Sequence, residues 1–147
     1  METEEVYFMK PAAYWFFLSD PESYHFDQLF ASKRDVWDGV NGNMAQKYLG
    51  QIRKGDRVIG YHTAPEKAAV CELEVLTDAY QNPEVKDKKN WVVDLKAVKR
   101  LGRPVPLAEL KANKKLSDMK LFHMMRPIAV SPLLEEEYEE IVRMGEK

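Results

Sequence analysis

The sequence predicts an α+β domain built on a small, mostly antiparallel, barrel-like sheet with short helices inserted between its strands. Three runs carry that expectation. Arg57–His62, Ala69–Leu76 and Trp91–Leu101 all read as strands and follow one another without the helical crossovers that a doubly wound parallel sheet requires. The length agrees: 147 residues, 45% apolar and 31% charged, match one domain. A chain of this size buries about two thirds of its unfolded surface without needing a disulfide or a structural metal.

The elements follow in order. Tyr14-Trp15-Phe16-Phe17-Leu18 is rich in strand formers and stops at Ser19-Asp20-Pro21, so it reads as a central strand buried on both faces. Phe26, Leu29 and Phe30 have the spacing of a short helix. Val36 to Asn43 shows no period and contains Gly39 and Gly42, which predicts a loop. Asn43 is the expected cap of a helix over Met44 to Lys54, with Met44, Tyr48 and Ile52 on one face. In the strand Ala69–Leu76, Cys71, Leu73 and Val75 alternate with Glu72 and Glu74, and Ala64 to Lys67 form the hairpin before it. Asp78 to Lys89 is polar, contains Pro83 and reads as a mobile loop. Pro106 opens a helix over Leu107 to Ala112, because its missing N–H costs nothing in a first turn. A strand near Ile128 to Val130 and a helix from about Leu133 to Met144 close the chain.

Composition narrows the function. The longest apolar stretch, Pro11 to Leu18, is far short of the ~20 residues of a membrane helix, and it follows glutamates rather than the basic start of a secretory signal. A cytoplasmic setting is expected, or a nuclear one in a eukaryote, with no membrane partner. The single Cys71 can make neither an internal disulfide nor a cysteine-based zinc site, and its place on the apolar face of a strand predicts an inert thiol. Charge is uneven: Lys86 to Arg126 hold twelve Lys and Arg against four acids in a chain of net charge −2, while five glutamates crowd Glu135 to Glu140. Clustered cations suit a polyanion, since binding releases counterions from phosphates, but they also make an ordinary solvated face.

No nucleophile elbow, phosphate loop or dinucleotide glycine pattern is present, and His25, His62 and His123 have no metal-ligand spacing with Cys71. What remains is an aromatic and amide-rich set: Trp15, Trp37, Tyr61 and His62, with Asn41 and Asn43 close by. Aromatic rings stack on planar ligands while amides read their edges. Trp15 and Trp91 are expected in the core. Trp37, beside Asp38-Gly39, is expected in the loop as a stacking surface. Two other readings stand beside this one: an enzyme using Asp38 and His62 on a nucleotide-like substrate, and a protein-interaction domain using the acidic C-terminal helix.

The segments Tyr14-Trp15-x-x-Leu18-Ser19-Asp20-Pro21-Glu22-Ser23-Tyr24, Trp37-Asp38-Gly39-Val40, Gly42-Asn43-Met44-Ala45-Gln46, Lys54-Gly55-Asp56-Arg57-Val58, Tyr61-His62-Thr63 and Arg103 to Lys111 resemble the EVE domain. The resemblance covers nearly the whole chain. It implies a PUA-like pseudo-barrel, with a pocket related to that of the YTH readers, and a non-catalytic role in recognising modified bases in DNA or RNA. Cytosine substituted at carbon 5 or a modified adenine is the implied ligand, no cofactor is implied, and a separate nuclease or modification enzyme is a further expected partner. By matching position the pocket draws on Ser19, Trp37, Asp38, Gly39, Val40, Asn43, Tyr61, His62 and Thr63. Lys96, Lys99, Arg100 and Arg126 are the expected contacts to the nucleic-acid backbone. The chain departs from the family pattern at Asn41-Gly42, where one branch carries Arg-Asn. It departs again at Pro127-Ile128-Ala129-Val130, which replaces Arg-Leu-Ser-Val.

Overall fold

The computed structural model describes residues 13–122 and 127–146. In chain order these are β1 (Tyr14–Ser19), α1 (Phe26–Ser32), β2 (Arg34–Trp37), α2 (Asn43–Leu49), β3 (Arg57–His62), β4 (Ala68–Val75), β5 (Tyr80–Gln81), β6 (Trp91–Pro106), α3 (Leu107–Ala112), β7 (Val130–Leu133) and α4 (Glu135–Gly145), with short 3-10 turns at Lys114–Leu116 and Lys120–Phe122. The α+β class expected from the sequence is the one found. The main sheet has the order β2-β6-β4-β3-β1-β7 and is not closed, while β5 pairs with the start of β6. Among the described residues no helix is long and apolar enough to cross a membrane.

One pair in this sheet is parallel: β1 runs beside β3 from Tyr14↔Arg57 to Ser19↔His62. It is also the pair separated in sequence by α1, β2 and α2, which supply the long crossover that parallel strands need. β1 is apolar from Trp15 to Leu18 because helices cover both faces of the sheet. Trp15 and Phe17 join a core with Phe26, Leu29 and Leu49 on the α1/α2 side. Phe16 joins a second core with Leu110, Tyr138 and Ile141 on the α3/α4 side. The start of β1 is pinned by the buried Asp56, which accepts hydrogen bonds from Trp15 Nε1 at 2.9 Å and from the backbone N–H of Ala13 and Arg53.

Several expectations need correcting. The supposed loop from Val36 begins as strand: β2 pairs with β6, placing Trp37 opposite Val93. Arg34, Asp35 and Val36 are all exposed, so the segment lacks the alternation that marks a strand in sequence. Helix α2 is capped by Gly42 at φ 94° rather than by Asn43, which is its first helical residue, and it ends at Leu49 rather than Lys54. The Asp78–Lys89 segment contains β5 and is organised around Gln81, whose amide donates to the carbonyls of Val85 and Lys88. β6 continues to Pro106, and the last strand starts at Val130 instead of ending there.

Candidate functional site

Trp37 ends β2, and the chain then turns through Asp38, Gly39 and Val40, with Gly39 in the left-handed region at φ 75° that a side chain disfavours. This turn faces the end of β1. Ser19 there donates from Oγ to the Tyr24 carbonyl at 2.7 Å, which folds Asp20 to Tyr24 back over the strand end. Between turn and strand lies a cavity of about 450 Å³ lined by Ser19, Trp37, Asp38, Gly39 and Val40. Asn41, one of the two amides expected near the aromatic set, also lines it, while sequence reasoning missed Tyr24, Asp35 and Ala129 as further parts of its wall. Tyr24 sat within a recognised motif, which was its only signal.

Trp37 is 7% exposed rather than displayed on a loop. It stacks on Phe26 with ring centroids 5.5 Å apart and meets Tyr24 edge-on at 5.2 Å. The Tyr24 hydroxyl donates to Asp35 at 2.8 Å, and burial followed by that bond pushes its pKa well above the usual phenol range. Asp38 is exposed and makes no hydrogen bond among the described residues, so its carboxylate is free to accept from a ligand.

The other expected pocket residues go elsewhere. Asn43 lines a neighbouring cleft of about 280 Å³ with Lys47, Lys88 and Lys89. Tyr61 and Thr63 line another, of about 390 Å³, with Lys67, Lys111 and Phe122. His62 lines a fourth, of about 350 Å³, with His25, Glu66 and Arg100. Successive strand residues face opposite sides, so Tyr61 and His62 cannot share one pocket wall.

His62 is fully engaged. Its Nε2 accepts the Phe26 N–H at 3.0 Å, which places the ring proton on Nδ1, 2.7 Å from Glu66 Oε1. Burial holds its pKa below the ordinary histidine value, with the Glu66 hydrogen bond opposing. His62 and Asp38 therefore line different cavities, and the geometry gives no acid–base pair between them. Sequence spacing did not foresee that His25, His62 and Glu66 bring ligand-type atoms within 4.8 Å of one another. A metal there would have to displace the Phe26 bond and the one His25 Nδ1 accepts from the Asp27 N–H at the helix cap. Burial pushes the Cys71 thiol far up, as its apolar position predicts.

Three of the expected backbone contacts lie exposed on β6. Arg100 and Lys99 stand opposite Cys71 and Glu72, and Lys96 stands opposite Glu74 beyond a register shift. Arg100 reaches Asp27 at 3.1 Å and lies over the Phe30 ring. Arg126 lies outside the described residues.

The family model for the EVE domain matches residues 13–144. The chain belongs to the EVE domain family. Among solved structures, this EVE domain is similar to Rpa0253 from Rhodopseudomonas palustris, with 35% identity and a TM-score of 0.84 over 91% of this chain and 93% of that one. It is also similar to human THYN1 solved in complex with 5-methylcytosine containing DNA, with 25% identity and a TM-score of 0.82 over 92% and 99% of the two chains. Human thymocyte nuclear protein 1 is 26% identical over 92% of this EVE domain and 75% of the relative.

Proposed function

We propose that this EVE domain is a non-catalytic nucleic-acid-binding module that takes a modified base, a 5-substituted cytosine or a modified adenine, into the cavity between Ser19 and Trp37. The observation that carries the reading is the free Asp38 carboxylate beside Trp37 and Tyr24 in a cavity of about 450 Å³. Cytosine and adenine both present an exocyclic amine, for which a carboxylate is a suitable acceptor, and the aromatic walls suit a flat ring. The human relative solved with 5-methylcytosine containing DNA supports the same reading. A base in a duplex must be flipped out at a cost of a few kcal/mol, which stacking and edge hydrogen bonds offset. A separate nuclease or modification enzyme would act on what the module marks.

The test is a panel of modified and unmodified nucleosides and short oligonucleotides, followed by thermal shift and mass spectrometry. Selective stabilisation by one modified base, with every ligand recovered intact, is the expected result. Turnover, or equal response to all bases, refutes it.

A further inference from the structure

We propose that the base cavity is the centre of a three-part track for one nucleic-acid strand, with phosphates on either side held in two lysine-bearing clefts. The inference rests on the base-binding reading above. Among the described residues the cavity is lined by Asp20, Asp35 and Asp38 and by no Lys or Arg, so it suits an amine-bearing base edge and repels a phosphate. Its two neighbours have the opposite character.

The first cleft shares Leu18 with the cavity and contains Lys67, Lys111, Thr63 and the rings of Tyr61 and Phe122. The second shares Val40 and Asn41 with the cavity and contains Lys47, Lys88 and Lys89, with Lys89 Nζ 5.0 Å from the centre of the Trp91 ring. Among the described residues neither cleft has an acidic residue in its lining. Among the described residues none of these five lysines makes an ion pair, in contrast to Arg100 with Asp27 and Arg103 with Glu109.

Hydrogen bonds to backbone groups hold both clefts in place. The Lys67 carbonyl accepts the Leu107 N–H at 2.9 Å, tying the β3–β4 hairpin to α3 and bringing Lys67 to the same cleft as Lys111. On the other side Gln46 donates from Nε2 to the Val40 carbonyl at 2.8 Å and accepts the Trp91 N–H at 2.7 Å, locking α2, the cavity turn and β6 together. A strand with its base in the cavity thus has a fixed cationic groove on each side, and aromatic rings there for flanking sugars or bases. The track does not use Lys96, Lys99 or Arg100.

The experiment titrates salt against binding of a short single-stranded oligodeoxynucleotide with one central 5-methylcytosine. K67A/K111A and K47A/K88A/K89A should each flatten the log–log salt slope, by about 0.7 for every phosphate that is no longer neutralised. The corresponding Lys→Arg variants should restore it, while free 5-methyl-2′-deoxycytidine, which reads the cavity alone, still raises the melting temperature. An unchanged slope in either set overturns the two-sided track and leaves the base reading intact. Equal binding of the unmodified oligonucleotide with flattened slopes overturns modified-base selectivity and supports the track. Failure of the native protein to bind either oligonucleotide overturns both, and poly-glutamate binding as tightly as DNA assigns the clefts to acidic protein segments and overturns the track.

Discussion

Trp37 and Phe26 lie nearly parallel, their ring centroids 5.5 Å apart and their planes 9° from coplanar. A residue that walls the cavity beside Ser19 is therefore also part of the core that holds α1 on the sheet. Trp37→Ala should both abolish ligand binding and destabilise the fold by about 3–5 kcal/mol, the usual range for removing a buried aromatic side chain. Trp37→Phe keeps a ring against Phe26 and should recover most of that stability. Urea unfolding of the two variants measures the difference; equal stability of native protein and Trp37→Ala would return Trp37 to the surface role its glycine-rich neighbours suggest.

That dual role shows which features could be read in the sequence. Period-two alternation made β4 visible, and the run of apolar residues in β1 correctly implied burial on both faces. β2 stayed hidden because its partner β6 arrives more than fifty residues later and its first three side chains face solvent. The cavity was legible as motifs, and Ser19 with Trp37 to Val40 do meet. The family resemblance places Tyr61-His62-Thr63 in the same pocket as a single motif. Strand geometry sends neighbouring side chains to opposite faces, so Tyr61 and His62 part company along β3.

His62 should make stability depend on pH on the acid side of neutrality. Its folded pKa is lowered from 6.5, so the unfolded chain binds more protons in the interval below that value. Stability is then complete above about pH 6.5 and falls as pH drops toward the folded pKa. Protonation of Nε2 also removes the acceptor for the Phe26 N–H at the start of α1. Asp27 and Glu66 oppose the shift and His25 adds to it. His62→Gln, which retains a side-chain acceptor, should flatten the urea midpoint between pH 6.5 and 5. A slope equal to that of the native protein would assign the proton to another group.

Glu140 predicts a second, lower window. Hydrogen bonds from Arg143 and Asn113 lower its pKa to about 2, and Arg143 Nη2 and Asn113 Nδ2 both stand 2.6 Å from Oε2. The contribution is present above the unfolded glutamate value and is lost as pH falls from about 4.5 toward 2. Glu140→Gln should cost about 1–3 kcal/mol at pH 7, where α4 loses a charged anchor to Asn113, and almost nothing at pH 2. The Arg143 side chain is 49% exposed, so solvent screening keeps the cost toward the lower end. Denaturation of both proteins at the two pH values checks the convergence, which fails if the gap persists in acid.

Asp38 separates recognition from folding more cleanly than any other cavity residue. It is exposed, follows the last strand residue of β2 and makes no hydrogen bond among the described residues, so replacing it leaves no buried group unpaired. Asp38→Asn should keep the melting temperature within a degree or two of the native protein, because surface changes of this kind fall within about 0.5 kcal/mol. Binding should respond differently. An amide retains one acceptor but loses the charge and places an N–H₂ toward the base, so an exocyclic amine meets a donor where it met a carboxylate. Each good edge contact carries about 1–3 kcal/mol of discrimination, so affinity for the preferred base should fall roughly tenfold to a hundredfold. Asp38→Asn also removes negative charge from the cavity, which should ease the approach of the backbone, so the loss must appear with the free nucleoside and be smaller with an oligonucleotide. Calorimetry on both ligands decides the matter: unchanged nucleoside affinity in a fully folded Asp38→Asn variant would remove Asp38 from base recognition.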